Sequence, residues 1–172
     1  MADITAIGEI LIDLTQSGVT QQGIPRYDAN PGGAPANLAV AASKLGAKTA
    51  FIGRVGKDAF GSILRRVLTE NGVDCAGLRE DAHFPTTLAV VSLDEHGERR
   101  FSFYRNPGAD LRLTPGDIPE GQLEQTKILH FGSVSLTADP SRSTTLYAVR
   151  KAKAAGALVS FDPNYRASLW NS

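Results

Sequence analysis

GGAPANLAVAASKLGAKTAFIGRVG, residues 32–56, is the stretch that decides the fold. Gly32 and Gly33 carry no Cβ, so another chain segment or a ligand can come close to the backbone there. Pro35 suits the first turn of a helix, where its missing N–H costs nothing. Leu38, Ala41, Ala42 and Leu45 then recur at helical spacing and predict the buried stripe. Gly46 ends the helix as a C-cap. Residues 49–53, TAFIG, read as a short strand. The unit is loop, helix, strand, with two glycines and Asn37 gathered at the helix start.

The flanking sequence extends this rhythm. Upstream, DITAIGEILIDL (3–14) reads as one strand buried on both faces near its start, with Gly8 marking a bend or a close approach. Residues 15–33 are polar and rich in Gly and Pro, and read as loop with a short edge strand. Downstream, 58–70 reads as a helix burying Phe60, Ile63, Leu64, Val67 and Leu68, ended by Asn71-Gly72. TTLAVVSL (86–93) and RRFSFYR (99–105) flank the turn 94–98, DEHGE, and predict a β-hairpin. A strand at 127–132, a helix at 140–154 and a strand at 157–161 follow. Strands alternating with helices predict an α/β fold on a mostly parallel sheet, from which the hairpin departs as an antiparallel flap or lid.

Composition removes several function classes. The chain has 172 residues, with 18 Lys plus Arg against 18 Asp plus Glu, a net charge of +0. That balance argues against nucleic acid and anionic membranes as partners. Aromatic residues are only 7%, too few for base-stacking platforms. Cys75 is the single cysteine, which excludes an internal disulfide and fits a reducing, cytoplasmic compartment. His83, His96 and His130 are scattered, so the sequence offers no zinc-type cluster. Met1-Ala2-Asp3-Ile4 does not open a signal peptide, and no apolar run approaches the roughly 20 residues of a membrane helix.

Four features could carry chemistry. Gly32-Gly33-x-x-x-Asn37 places free N–H groups and an amide side chain at a helix start, and reads either as a ligand cradle or as an ordinary tight loop. It matches neither a P-loop nor the dinucleotide GxGxxG pattern. Asp13 lies where open α/β sheets place ligands, and is either a polyol-gripping carboxylate or a solvated strand-end acid. Glu9 is its rival, or else a buried partner for an arginine. Asp162, Asn164 and Arg166 alternate after an apolar strand and would share a face suited to phosphate and metal-bound water, or form a salt-bridged turn. In the second hairpin arm, Phe101 and Phe103 form one aromatic face that packs, while Tyr104 and Arg105 could cover a ligand or simply finish a small sheet. His130 reads as a core or strand-end histidine, and Cys75 has no base beside it.

The combination resembles the ribokinase-like, or PfkB, family of sugar kinases. Residues 32–56 fit the family's first signature throughout, with Asn37, Ala39, Gly46 and Gly56 in step, and Lys57-Asp58-Ala59-Phe60-Gly61 resembles its GxDxxG stretch. GEILIDL (8–14), FYRNPGAD (103–110), HFGSVSL (130–136) and SFDPNYRASLW (160–170) resemble segments of the family's fructokinases. The resemblance implies a ribokinase-like three-layer sandwich with a small β-lid, from segments around 12–30 and 84–106. It implies that residues 1–172 are the N-terminal half of one domain, the ATP-binding half being absent. It implies ATP-dependent phosphorylation of D-fructose to fructose 6-phosphate at full length, with Mg²⁺ and room for K⁺ as cofactors and a homodimer through the lid. The alternatives are a kinase of 2-keto-3-deoxygluconate or another sugar, and a non-catalytic sugar-binding or structural piece.

By the same resemblance, Asp13, Gly32, Gly33 and Asn37 bind sugar hydroxyls, and Tyr104 and Arg105 make lid-side contacts. Asp162, Asn164 and Arg166 lie near the transferred phosphate and its magnesium, with no direct metal ligand. The catalytic Asp belongs to a second signature, DTxGAGD, which residues 1–172 do not contain and which is expected beyond Ser172. The 172-residue chain alone is therefore expected to be inactive.

Overall fold

Neighbouring residues of the first strand, β1 (Ala2–Ile7), enter different cores. Ala6 joins a cluster with Phe51, Val55, Leu64 and Leu68, whereas Ile7 joins one with Ile52, Leu129, Phe131 and Ala148. That alternation is the mark of a sheet covered on both faces. The computed structural model describes residues 1–93 and 99–170. Beyond β1 it contains β2 (Leu11–Val19), β3 (Pro25–Gly32), α1 (Ala34–Lys44), β4 (Thr49–Gly56), α2 (Ala59–Glu70), β5 (Asp74–Asp81), β6 (Leu88–Leu93), β7 (Arg99–Tyr104), β8 (Thr126–Gly132), α3 (Ser141–Ala154) and β9 (Leu158–Asp162).

The main sheet has the order β5-β4-β1-β8-β9, and all its pairs are parallel. Helices α1 and α2 contribute to the core on one face, α3 to the core on the other. This is a three-layer α/β sandwich. A second sheet, order β3-β2-β6-β7, joins two antiparallel hairpins through the parallel pair β2–β6. Ile12 at its base is fully buried and belongs to the α1–α2 core, so the small sheet is rooted in the large one.

The helix boundaries follow from the residues expected to set them. Gly33 caps α1, and Pro35 lies in its first turn. Asp58 caps α2: its Oδ1 accepts the Gly61 N–H at 2.8 Å and the Thr86 hydroxyl at 2.8 Å, and its Oδ2 accepts the Thr86 N–H at 2.8 Å. One carboxylate thus starts a helix and ties it to the strand entering the small sheet.

Three sequence expectations are corrected here, and one strand is added. DITAIGEILIDL is two strands in two sheets, divided at Gly8–Ile10. Apolar residues on both sides of Gly8-Glu9 hide the division, which Gly8 makes with a φ of +148°. The segment 15–33 is largely strand, because β2 runs on to Val19 and β3 fills 25–32. β3 is an edge strand exposed along nearly all its length, so its residues are polar on both faces. β5, with the polar sequence DCAGLRED, carries no readable strand pattern. Finally, α1 docks through Pro35, Ala36 and Ala39, while Leu45 is 88% exposed. Small residues let this helix lie close to the sheet, and the predicted Leu38–Leu45 stripe sits to one side of that contact.

Three sequence readings fall outside the described residues. They are the hairpin turn at 94–98, the packing of the Phe101 side chain, and the chain end at Asn171 and Ser172, beyond which the catalytic signature is expected.

Arg105 is also corrected. It does not reach from the lid towards a ligand. It is 8% exposed, and its guanidinium lies against Asp110 at 2.6 and 2.7 Å. It also donates to the Thr137 hydroxyl at 2.8 Å and to the Val134 carbonyl at 3.1 Å. Asp110 accepts the Thr87 hydroxyl at 2.6 Å as well. The pair joins the foot of the hairpin to the turn after β8.

Removing one partner of a fully hydrogen-bonded buried pair leaves an unpaired charge, at a cost of about 3–5 kcal/mol. Arg105→Met is therefore expected to lower the urea midpoint severely; an unchanged midpoint would mean that Arg105 does not support the fold. Asp58→Ala removes three hydrogen bonds and a cap, and should cost roughly 2–3 kcal/mol in the same measurement.

Candidate functional site

The C-terminal ends of parallel strands leave main-chain groups and following loops free, and ligands of open α/β sheets bind there. In this protein the crevice has a roof. A cleft of about 330 Å³ opens between the ends of β1 and β9, the start of α1 and the face of the small sheet.

The roof is set by strand register. Asp13 pairs with Ala89, and Ala89 pairs with Phe103, so the three share a row and a face. Asp13 and Phe103 both line the cleft. Tyr104 belongs to the next row, with Leu88 and Ile12, on the opposite face. It is 65% exposed and does not line the cleft. The faces of this strand are thus the reverse of the sequence expectation: the residue turned to the cleft is Phe103, and alternation alone does not say which face is inward.

Asp13 is half-buried, and burial raises its carboxyl above the ordinary range while the Arg166 guanidinium pulls it back. Gly32 makes room for it, because a side chain at 32 would run into the Asp13 carboxylate. Gly32 therefore shapes the cleft through Asp13.

The floor comes from α1 and the β1–β2 connection. Gly33 has a φ of +104°, and a Cβ there would lie 2.6 Å from the Glu9 carbonyl oxygen and 2.9 Å from the Ile10 Cα. Only glycine fits this crossing. Gly33, Ala34 and Asn37 all line the cleft, and Asn37 lies in the first turn of α1. Glu9 lines it too. Its side chain is no partner for an arginine: Arg105 is taken by Asp110, while Glu9 Oε1 accepts the Ala34 N–H at 3.2 Å.

The third wall is the segment after β9. Asp162, Asn164 and Arg166 line the cleft together, as their alternation suggested. The segment is not a simple extension of the strand. Asn164 has a φ of +37°, and its N–H donates to Asp162 Oδ1 at 3.0 Å, an Asx turn that bends the chain. Arg166 Nη1 donates to the Tyr165 carbonyl at 3.2 Å. Carboxylates, amides and one guanidinium thus face an apolar patch made by Phe103, Leu11 and Val134. No group of three acidic, cysteine or histidine side chains suited to a metal ion occurs among the described residues. His130, buried beneath this wall, has Nδ1 3.0 Å from the Ser160 hydroxyl, and burial lowers its basicity. Phe103, which the sequence assigns to packing, lines the cleft with Val134 and Leu11, which the sequence does not single out.

Known proteins share this fold. The chain is 47% identical over 171 residues to a fructokinase of Solanum tuberosum, in a match that covers 98% of this chain and 54% of that protein. A crystal structure of fructokinase from Xylella fastidiosa superposes with a TM-score of 0.94 at 38% identity, over 100% of this chain and 54% of that one. A double-mutant fructokinase from Vibrio cholerae O395, in its fructose-, ADP- and potassium-bound form, superposes with a TM-score of 0.87 at 43% identity, over 100% of this chain and 53% of that one. The chain therefore spans about half the length of these relatives. The model of the pfkB family of carbohydrate kinases matches residues 1–172, the whole of the chain, and the protein belongs to that family.

Proposed function

We propose that the cleft is the sugar site of an ATP-dependent kinase whose acceptor is D-fructose, converted to fructose 6-phosphate. The observation that carries this reading is the cleft's mixed lining. A hexose has hydroxyls around its edge and C–H groups on its faces. Asp13 offers an acceptor for hydroxyl donors, Asn37 offers both donor and acceptor, and Phe103 offers an apolar surface to a C–H face. The fructose named for the Vibrio relative supports the same substrate. No feature of the cleft favours 2-keto-3-deoxygluconate or a non-catalytic role over this reading.

The small sheet acts as a lid. Closing it over the sugar would exclude water and so limit hydrolysis of the nucleotide. When bound, ATP supplies the phosphoryl group to be transferred in line. The guanidinium of Arg166 and the amide of Asn164 suit a phosphate end reaching the cleft. Magnesium belongs to the reaction, and the potassium of the Vibrio relative supports a second ion. This chain offers only Asp162 near that wall, so the ligands of neither ion are assigned to these residues. Asp13 orients the acceptor hydroxyl and is given no role as base. The family's second signature is not among residues 1–172, and the catalytic Asp is expected beyond Ser172. The reading extends to a cytoplasmic setting, in keeping with one free cysteine and balanced charge. It extends also to pairing through the lid, whose exposed Val19, Ile24 and Tyr27 offer apolar surface.

At the relatives' full length, the kinase should release ADP faster with fructose than with ribose, glucose or 2-keto-3-deoxygluconate in a coupled assay. Equal inactivity on all four would reject the assignment. The 172-residue chain alone should show no fructose-dependent turnover in the same assay. Asp13→Asn in the full-length kinase exchanges a charged acceptor for a neutral one and should lower kcat/KM by roughly 10–100-fold, equivalent to about 1.5–3 kcal/mol.

A further inference from the structure

Glu9 is buried to 3% exposure at the point where the chain leaves the main sheet for the small one. Its Oε1 accepts the N–H of Ala34, the first residue of α1. Its Oε2 is buried with no hydrogen-bond partner. The same residue lines the cleft beside Gly33, Ala34 and Asn37. A buried oxygen without a partner costs free energy, so its retention beside a ligand site calls for a role there.

We propose that Glu9 is a positioning residue of the cleft: clamped on the Ala34 amide, it fixes the wall that carries Gly33 and Asn37, so that its loss weakens sugar binding. This rests on the sugar-site reading above. Among the described residues no other side chain takes the Ala34 N–H, and α1 brings no acid of its own to its first turn.

The charges around Glu9 set where its carboxyl titrates. The chain after β7 places Arg105 and Asp110 nearby, but their mutual ion pair leaves Arg105 little to offer. Across the cleft stand Asp13 on β2, Asp162 at the end of β9 and Arg166 after it. On β8, His130 pairs in register with Ala6 and is engaged with Ser160. Among the described residues, Glu9, Asp13 and Asp162 line the cleft with Arg166 as its one guanidinium. Burial, with the Asp110 charge, pushes the Glu9 carboxyl up to about 7. Between its ordinary value of 4.5 and about 7, the folded protein holds a proton that the unfolded chain has lost, so stability falls as pH rises across that window.

The test follows the Ala34 amide of the 172-residue chain by NMR between about pH 5.5 and 8.5, a window that brackets the raised Glu9 carboxyl. The wild type should show a titration with a midpoint near 7, and Glu9→Gln should lack it. A wild-type Ala34 amide that does not respond, or an equal response in Glu9→Gln, overturns the proposal. In the full-length kinase, Glu9→Ala should weaken fructose binding at about pH 6 by roughly tenfold, the worth of about one hydrogen bond. Glu9→Gln, which keeps an oxygen for the Ala34 N–H, should recover most of that loss. Undiminished fructose affinity in Glu9→Ala also overturns it. If the wild type binds no fructose while its Ala34 amide titrates, the sugar reading fails and the clamp stands.

Discussion

Two pieces of main chain cross at the rim of the parallel sheet with less than a methyl group of room between them. Gly33 lies so close to the Glu9 carbonyl and the Ile10 Cα that any side chain would collide. On the other side of the crossing, a side chain at Gly8 would meet Pro35 at 2.9 Å. Everything else about the site depends on this contact. At one point it lets the chain pass from the main sheet into the lid and lets the lid's second strand hand over to α1. It therefore brings the end of β1, the start of α1 and the root of the small sheet to a single place.

The buried charges act around that crossing in different ways. Arg105 and Asp110 satisfy one another and the hydroxyls of Thr87 and Thr137, so they brace the hairpin without addressing a ligand. Asp13 and Arg166 both line the open cleft, where each feels the other's charge and a ligand can reach both. Glu9 lies between the two regimes, enclosed like the first pair but on the lining like the second. Enclosure decides which charges hold the fold and which remain to meet a substrate.

Much of this was legible in the sequence, and the failures have physical causes. α2 could be read at both ends because Asp58 and Gly72 have strong local preferences. The grouping of Asp162, Asn164 and Arg166 could be read because spacing alone sets it, although the Asx turn that achieves it could not. Gly33 and Asn37 come to the cleft lining through the helix that follows them, whose start is legible in Gly33 and Pro35. The break at Gly8–Ile10 was hidden because both strands it separates are apolar. β3 and β5 were hidden because strands with exposed, polar surfaces lose the alternation that betrays a strand. Arg105 and Phe103 were misplaced because burial and facing depend on register with β6 and β2, and β2 lies far away in sequence.

The parallel pairing of β2 with β6 has a consequence for how the protein forms. Ile12 meets Leu88 only after the intervening helices and strands of the main sheet have been laid down. Closing so long a loop costs entropy that local contacts cannot return early. Pairing within each hairpin is local in sequence, whereas their union through β2 and β6 is not. The roof of the cleft thus depends on the core beneath it through a pairing between segments distant in sequence.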